Sequence, residues 1–199
     1  MKQKRYFAAL LCCAGLLTGC AGQAAEQPPV DQSAEQAAEQ TGAESGSENL
    51  AADAAQSYDP TATGAYADGS TPAFSGEKLR LTIGEGEEVI IALYDNTAVD
   101  ALVERLPLEE LHFFDLSGIE KPIDRLEEPL SLGEEQPGYD PVTGEMVIYR
   151  PWGNFTIFYG DFRYSEELVP LGKVERGLEL LAAKTEAFDG VLERMEAEA

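Results

Sequence analysis

Along Leu79-Arg80-Leu81-Thr82-Ile83, apolar and polar side chains alternate with a period of two, the pattern of a half-buried strand. Gly84-Glu85-Gly86 supplies a turn, and Val89-Ile90-Ile91-Ala92-Leu93-Tyr94 follows as a second strand, so the pair predicts a hairpin. Beyond it the period changes. Val99, Leu102, Val103 and Leu106 fall at i, i+3, i+4 and i+7, which predicts a short helix capped by Asn96 and stopped by Pro107. Leu111–Leu116, Met146–Tyr149, Phe155–Tyr159 and Leu168–Val174 read as further strands, separated by turn-rich stretches such as Pro137-Gly138-Tyr139-Asp140-Pro141. Gly177–Lys184 reads as a second short helix, and Asp189-Gly190 as a turn into a last strand at Val191–Met195. Short strands with two small helices predict a mainly β domain closed into a small barrel rather than a βαβ layer fold.

This pattern is confined to residues 77–199. Residues 1–19 carry another: Lys2, Lys4 and Arg5, then an apolar run from Tyr6 to Leu17. That run is too short to span a bilayer, which takes roughly 20 residues, and matches the apolar region of a secretory signal. It ends in Leu17-Thr18-Gly19-Cys20, which resembles the lipobox of bacterial lipoprotein signal peptides. The resemblance implies cleavage before Cys20 and attachment of a diacylglyceryl group to its thiol. Acyl chains of the palmitate kind then hold the protein on the outer face of the cell membrane, since two such chains anchor stably. Cys12 and Cys13 leave with the signal.

Residues 20–76 are the lipidated cysteine and a linker of Ala, Gln, Glu, Gly and Ser, with nine acidic residues and no basic one. Such a composition buries too little apolar surface to offset its ordering entropy, and predicts a disordered spacer. At 5–6 Å × √n it holds the domain about 40 Å from the membrane.

Charge narrows the functional classes. The chain of 199 residues carries 14 Lys+Arg against 37 Asp+Glu, a formal net charge of −23. A surface this acidic repels phosphate backbones, which excludes nucleic acid as a partner. One histidine and no cysteine after Cys20 exclude poly-His sites, thiolate zinc sites and a cysteine nucleophile. The acidic doublets lack Ca²⁺-loop spacing and read as solvated faces, His112 reads as a surface or packed histidine, and Phe113, Val147 and Phe158 read as barrel core. No metal, cofactor or catalytic residue is expected.

The order Leu93-Tyr94-Asp95-Asn96, Leu106-Pro107-Leu108, Pro151-Trp152-Gly153-Asn154, Phe158-Tyr159-Gly160-Asp161-Phe162 and Leu171-Gly172-Lys173-Val174 resembles the bacterial cyclophilin-like family, a divergent branch of the cyclophilin fold. The resemblance covers about Leu79 to Leu181. It implies an eight-stranded type of β-barrel with two short helices. It also makes peptidyl-prolyl isomerisation the activity to test, although the Phe-x-x-x-x-Phe-x-x-Gln stretch of catalytic cyclophilins has no counterpart here.

Tyr149-Arg150-Pro151-Trp152-Gly153-Asn154 is the segment where recognition is expected. It places the only Trp beside Tyr and Arg in a turn between two strands, and these residue types dominate binding hot spots. Tyr149, Arg150, Trp152, Phe158, Arg163 and Tyr164 are the candidate ligand-binding residues. The leading reading is a membrane-tethered, non-catalytic module that binds a small molecule or an extended peptide. The alternatives are an extracytoplasmic prolyl isomerase acting as a folding factor, with Arg150 or Arg163 as the hydrogen-bond donor, and a purely structural envelope protein.

Overall fold

The structure, a computed structural model, describes residues 58–195. The signal peptide, Cys20 and the linker up to residue 57 lie outside the described residues. Strand β1 (Ala65–Tyr66) pairs with β6 (Tyr139–Asp140). The main sheet contains β2 (Phe74–Ile83), β3 (Glu87–Tyr94), β4 (Leu108–Phe113), β5 (Glu120–Pro122), β7 (Glu145–Tyr149), β8 (Asn154–Phe158), β9 (Leu168–Arg176) and β10 (Phe188–Arg194). Helices α1 (Thr97–Val103) and α2 (Leu178–Ala182) complete the set.

The eight strands are ordered β4-β10-β2-β3-β9-β7-β8-β5 and every pairing is antiparallel. The edge strands approach each other: Phe113 bridges Ile123, Leu116 bridges Glu120, and the Asp124 amide donates to the His112 carbonyl at 2.9 Å. The sheet is thereby a nearly closed barrel, which removes the two exposed edges that an open sheet presents. Strand alternation fills it. Leu79, Leu81 and Ile83 of β2, Met146 and Ile148 of β7, and Phe155 and Ile157 of β8 all lie in one buried cluster. Helix α1 adds Ala98, Val99 and Leu102, and α2 adds Leu178 and Leu181. The Asn96 side chain accepts the Val99 amide at 2.9 Å and caps α1. Leu106-Pro107 is cis and lies between α1 and β4.

Several elements differ from the sequence pattern, each because of a partner distant in the chain. The linker was expected to run to Gly76, yet β1 and the first residues of β2 lie before it, because Tyr66 packs edge-on against Tyr139 at 5.3 Å and Phe74 against Tyr94 at 5.0 Å. Asp189-Gly190 is not a turn. Gly190 sits inside β10, paired with Ile83 on one side and Leu111 on the other. Phe113 is barrel core as expected, whereas Val147 and Phe158 are buried on the opposite, outer face of the sheet with Tyr139 and Leu168. A period of two sends them outward from the strands whose neighbours point in, and Tyr66, Tyr149 and Phe162 pack over them. His112 is exposed and pairs with Asp189, its cross-strand partner.

Candidate functional site

The turn from β7 to β8 is closed by the Trp152 and Gly153 amides donating to the Tyr149 carbonyl at 3.1 and 2.9 Å. A third bond, from the Leu130 amide to the Gly153 carbonyl at 2.7 Å, ties the segment after β5 to this turn. It brings Arg125 over the Trp152 ring, 5.2 Å from its centroid, while Tyr149 meets the indole edge-on at 5.9 Å. Trp152 remains 38% exposed. An indole in this position offers one large flat contact with its orientation fixed from two sides.

Arg150 is held differently. Its Nε and a terminal nitrogen both reach Glu167 at 2.5 Å, and its amide donates to the Glu167 carbonyl at 2.9 Å. Its guanidinium is thus committed to a carboxylate at an exposed position. Arg163 is exposed and lies 5.6 Å over the Phe162 ring. Tyr164 is exposed on the loop between β8 and β9. Phe158 does not line a groove: it is buried on the outer face and stacks on Phe162 at 4.7 Å. Tyr149, Arg150 and Trp152 therefore share one turn, Arg163 and Tyr164 share one loop, and Phe158 supports that loop from beneath.

At the other end of β7 a polar cluster is buried on the outer face of the sheet. Glu145 is fully buried, and its Oε1 accepts from the Tyr94 hydroxyl (2.5 Å), the Tyr139 hydroxyl (2.7 Å) and the Gly64 amide (3.0 Å). Its Oε2 accepts from the Val142 amide at 2.8 Å. Gly64 is required there, because a Cβ would stand 2.2 Å from the Asp140 carbonyl oxygen. Burial, and then the negative charge of Glu145, push the phenols of Tyr94 and Tyr139 far above the usual tyrosine range.

Lys173 is the cross-strand partner of Glu145 and is 1% exposed, yet it forms no ion pair among the described residues. Its ammonium donates to the Thr143 carbonyl at 2.5 Å and lies 5.1 Å from the Tyr58 ring centroid. Burial lowers its pKa, against the opposing charges of Glu145 and Asp59. Both Lys173 and Tyr58 line a cavity of about 310 Å³, together with Asp59, Ala62, Val142, Thr143 and Asp161. Gly144, at φ +93°, lets Tyr58 lie against the strand entry, since a Cβ would meet its ring at 2.4 Å.

The model of the cyclophilin-like family matches residues 81–193. This chain belongs to the cyclophilin-like family. The match takes in the strands from β2 to β10, both helices and the Trp152 turn. The chain is also similar to a solution structure of a hypothetical protein from Archaeoglobus fulgidus, at 18% identity and a TM-score of 0.49, covering 61% of this chain and 97% of that one. A comparison with curated proteins finds no match.

In this cyclophilin-like domain a second buried lysine is fully partnered. Lys121 of β5 donates to Asp115 at 2.5 Å and to the Lys184 carbonyl, and lies 4.6 Å from the Tyr159 ring centroid. The Tyr159 hydroxyl also donates to Asp115. Against burial, which opposes the shift, these two donors hold the Asp115 carboxyl below its usual range. Glu145, Lys173 and Lys121 were not among the candidate residues read from the sequence. Their signal was a charged residue at the edge of or within an apolar run, as in Glu145-Met146-Val147-Ile148-Tyr149 and Leu171-Gly172-Lys173-Val174.

Proposed function

We propose that this protein is a lipid-tethered, extracytoplasmic binding module that receives an extended peptide or small molecule at the Trp152 turn and performs no chemistry on it. The observation that supports the reading is the exposed indole of Trp152, framed by Tyr149 and Arg125, with Tyr164 exposed on the loop after β8. A preset aromatic surface loses little conformational freedom on binding. Of the two donors that an isomerase reading offers, Arg150 is held by Glu167 and Arg163 lies exposed over the Phe162 ring. The tether rests on Leu17-Thr18-Gly19-Cys20 and the acidic linker after it.

Because Trp152 is the only tryptophan, fluorescence excited selectively at the indole reports this surface without the tyrosines. A panel of proline-containing tetrapeptides is expected to shift or quench the emission at saturating concentration without accelerating cis–trans exchange of the prolyl bond, and Trp152→Ala is expected to abolish binding measured by calorimetry. Acceleration that disappears in Arg150→Ala or Arg163→Ala would replace this reading with the isomerase one. Mass spectrometry of the membrane fraction is expected to find a diacylglyceryl group on Cys20, and Cys20→Ser is expected to release the protein from that fraction. An unlipidated envelope form would remove the tether from the account.

A further inference from the structure

From the Lys173 cavity we infer a second binding site, independent of the Trp152 turn, for a small free amino acid bound as its zwitterion. A buried ammonium is costly unless ion-paired and fully hydrogen-bonded. Lys173 has three N–H donors, and Thr143 takes one of them through its carbonyl. Its natural counter-charge is Glu145, directly across the β7–β9 pairing. That carboxylate is already occupied by four donors, the Tyr94 and Tyr139 hydroxyls and the Gly64 and Val142 amides. The Glu145 cluster is closed, and the Lys173 cation is left over.

Beside it, the Tyr58 hydroxyl is buried and has no hydrogen-bond partner among the described residues. The spare N–H donors of Lys173 and the Tyr58 hydroxyl thus line the same cavity, and together they fit a carboxylate, which offers two oxygens. The rim carries the opposite sign. Asp59 and Asp161 are exposed and line the same space. Asp59 is oriented by the Thr61 amide and hydroxyl at 2.9 and 2.7 Å, and Asp161 by the Thr143 hydroxyl at 3.1 Å. Rim carboxylates repel a dianion such as phosphate but attract an ammonium group. A ligand with a carboxylate at one end and an ammonium a few ångströms away satisfies both ends. Ala62 and Val142 add an apolar wall for a small aliphatic side chain. At about 310 Å³ the cavity stands at the lower limit of ligand pockets, which suits a single amino acid.

The test is calorimetric titration of the full chain with L-valine, N-acetyl-L-valine, L-valinamide and inorganic phosphate, with melting temperatures measured in parallel. L-valine is expected to bind and to raise the melting temperature by a few degrees at saturation. Blocking either its amine or its carboxylate is expected to weaken binding at least about tenfold, because each leaves a charged group of the site unpaired. Lys173→Met is expected to abolish binding while the unliganded protein melts no lower than wild type. Tyr58→Phe, which removes only the hydroxyl, is expected to weaken binding about fivefold or more. No binding of L-valine at 10 mM, equal binding of N-acetyl-L-valine or phosphate, or unchanged binding in Tyr58→Phe would each overturn the inference. Loss of the Trp152 fluorescence response leaves these readouts untouched, so the two sites fail or stand separately.

Discussion

Lys121 and Lys173 are both almost completely buried, at 0% and 1% exposure, and both lie on barrel strands. Lys121 meets a carboxylate, a backbone carbonyl and an aromatic face. Lys173 meets a carbonyl and an aromatic face, but no carboxylate among the described residues. The first arrangement closes a gap in the barrel: β5 is short, and Lys121 ties it to Asp115 and to the segment following α2. In the second, the nearby carboxylate is consumed by four other donors and the lysine borders an open cavity. The contrast teaches that burial alone does not distinguish a structural lysine from a binding one. What distinguishes them is whether the counter-charge has been supplied from within the chain.

The largest expected effect comes from breaking the completed pair. Lys121→Met leaves Asp115 with an uncompensated charge and the Lys184 carbonyl without its donor, and is expected to cost about 3 kcal/mol in denaturant unfolding. Next in size is the cluster that monopolises Glu145. Tyr94→Phe removes one donor to a buried carboxylate and is expected to cost about 2 kcal/mol by the same measurement. The cluster can also be dissolved by base. Unfolded phenols ionise near pH 10.0, whereas Tyr94 and Tyr139 stay protonated in the folded barrel well beyond it. The native state then holds more protons than the unfolded one, so stability falls as pH rises past 10. Each phenol withdraws about 1.4 kcal/mol per pH unit. Lys173 acts in the opposite direction below 10.5, since its folded pKa is lowered, but it is one group against five, because burial also raises the phenols of Tyr58, Tyr66 and Tyr159. Urea midpoints between pH 9 and 11.5, with phenolate absorbance followed alongside, check this. The smallest effect on stability is expected at Trp152, where Trp152→Ala removes a largely surface contact and changes the unfolding free energy by about 0.5–1 kcal/mol.

Much of the barrel was legible because its strands obey a local rule. Leu79, Leu81 and Ile83 announce their inward face, Asn96 announces the start of α1, and Gly84-Glu85-Gly86 announces the hairpin. The elements that were not legible depend on distant partners. Glu120-Lys121-Pro122 has two charges and a proline, and is a strand only because β8 pairs with it. Asp189-Gly190 carries a turn signal that neighbours on both sides override. Tyr58, Tyr66 and Phe74 looked like isolated aromatics in a polar segment, and their packing partners lie 20 to more than 80 residues away. For the site, the sequence marked the Trp152 turn through residue type. It did not mark the Lys173 cavity, whose meaning lies in an ion pair that fails to form across two strands. Composition shows a lysine, but not the donors already gathered around Glu145.

The most direct measurement is calorimetric melting of wild type, Lys121→Met and Lys173→Met side by side, without added ligand. The account predicts a fall of about 10 °C or more for Lys121→Met. For Lys173→Met it predicts a melting temperature equal to or above wild type, because an unmatched buried charge has been removed at the expense of one hydrogen bond to Thr143. A fall in Lys173→Met as deep as that in Lys121→Met would contradict it, and would make Lys173 one more structural lysine.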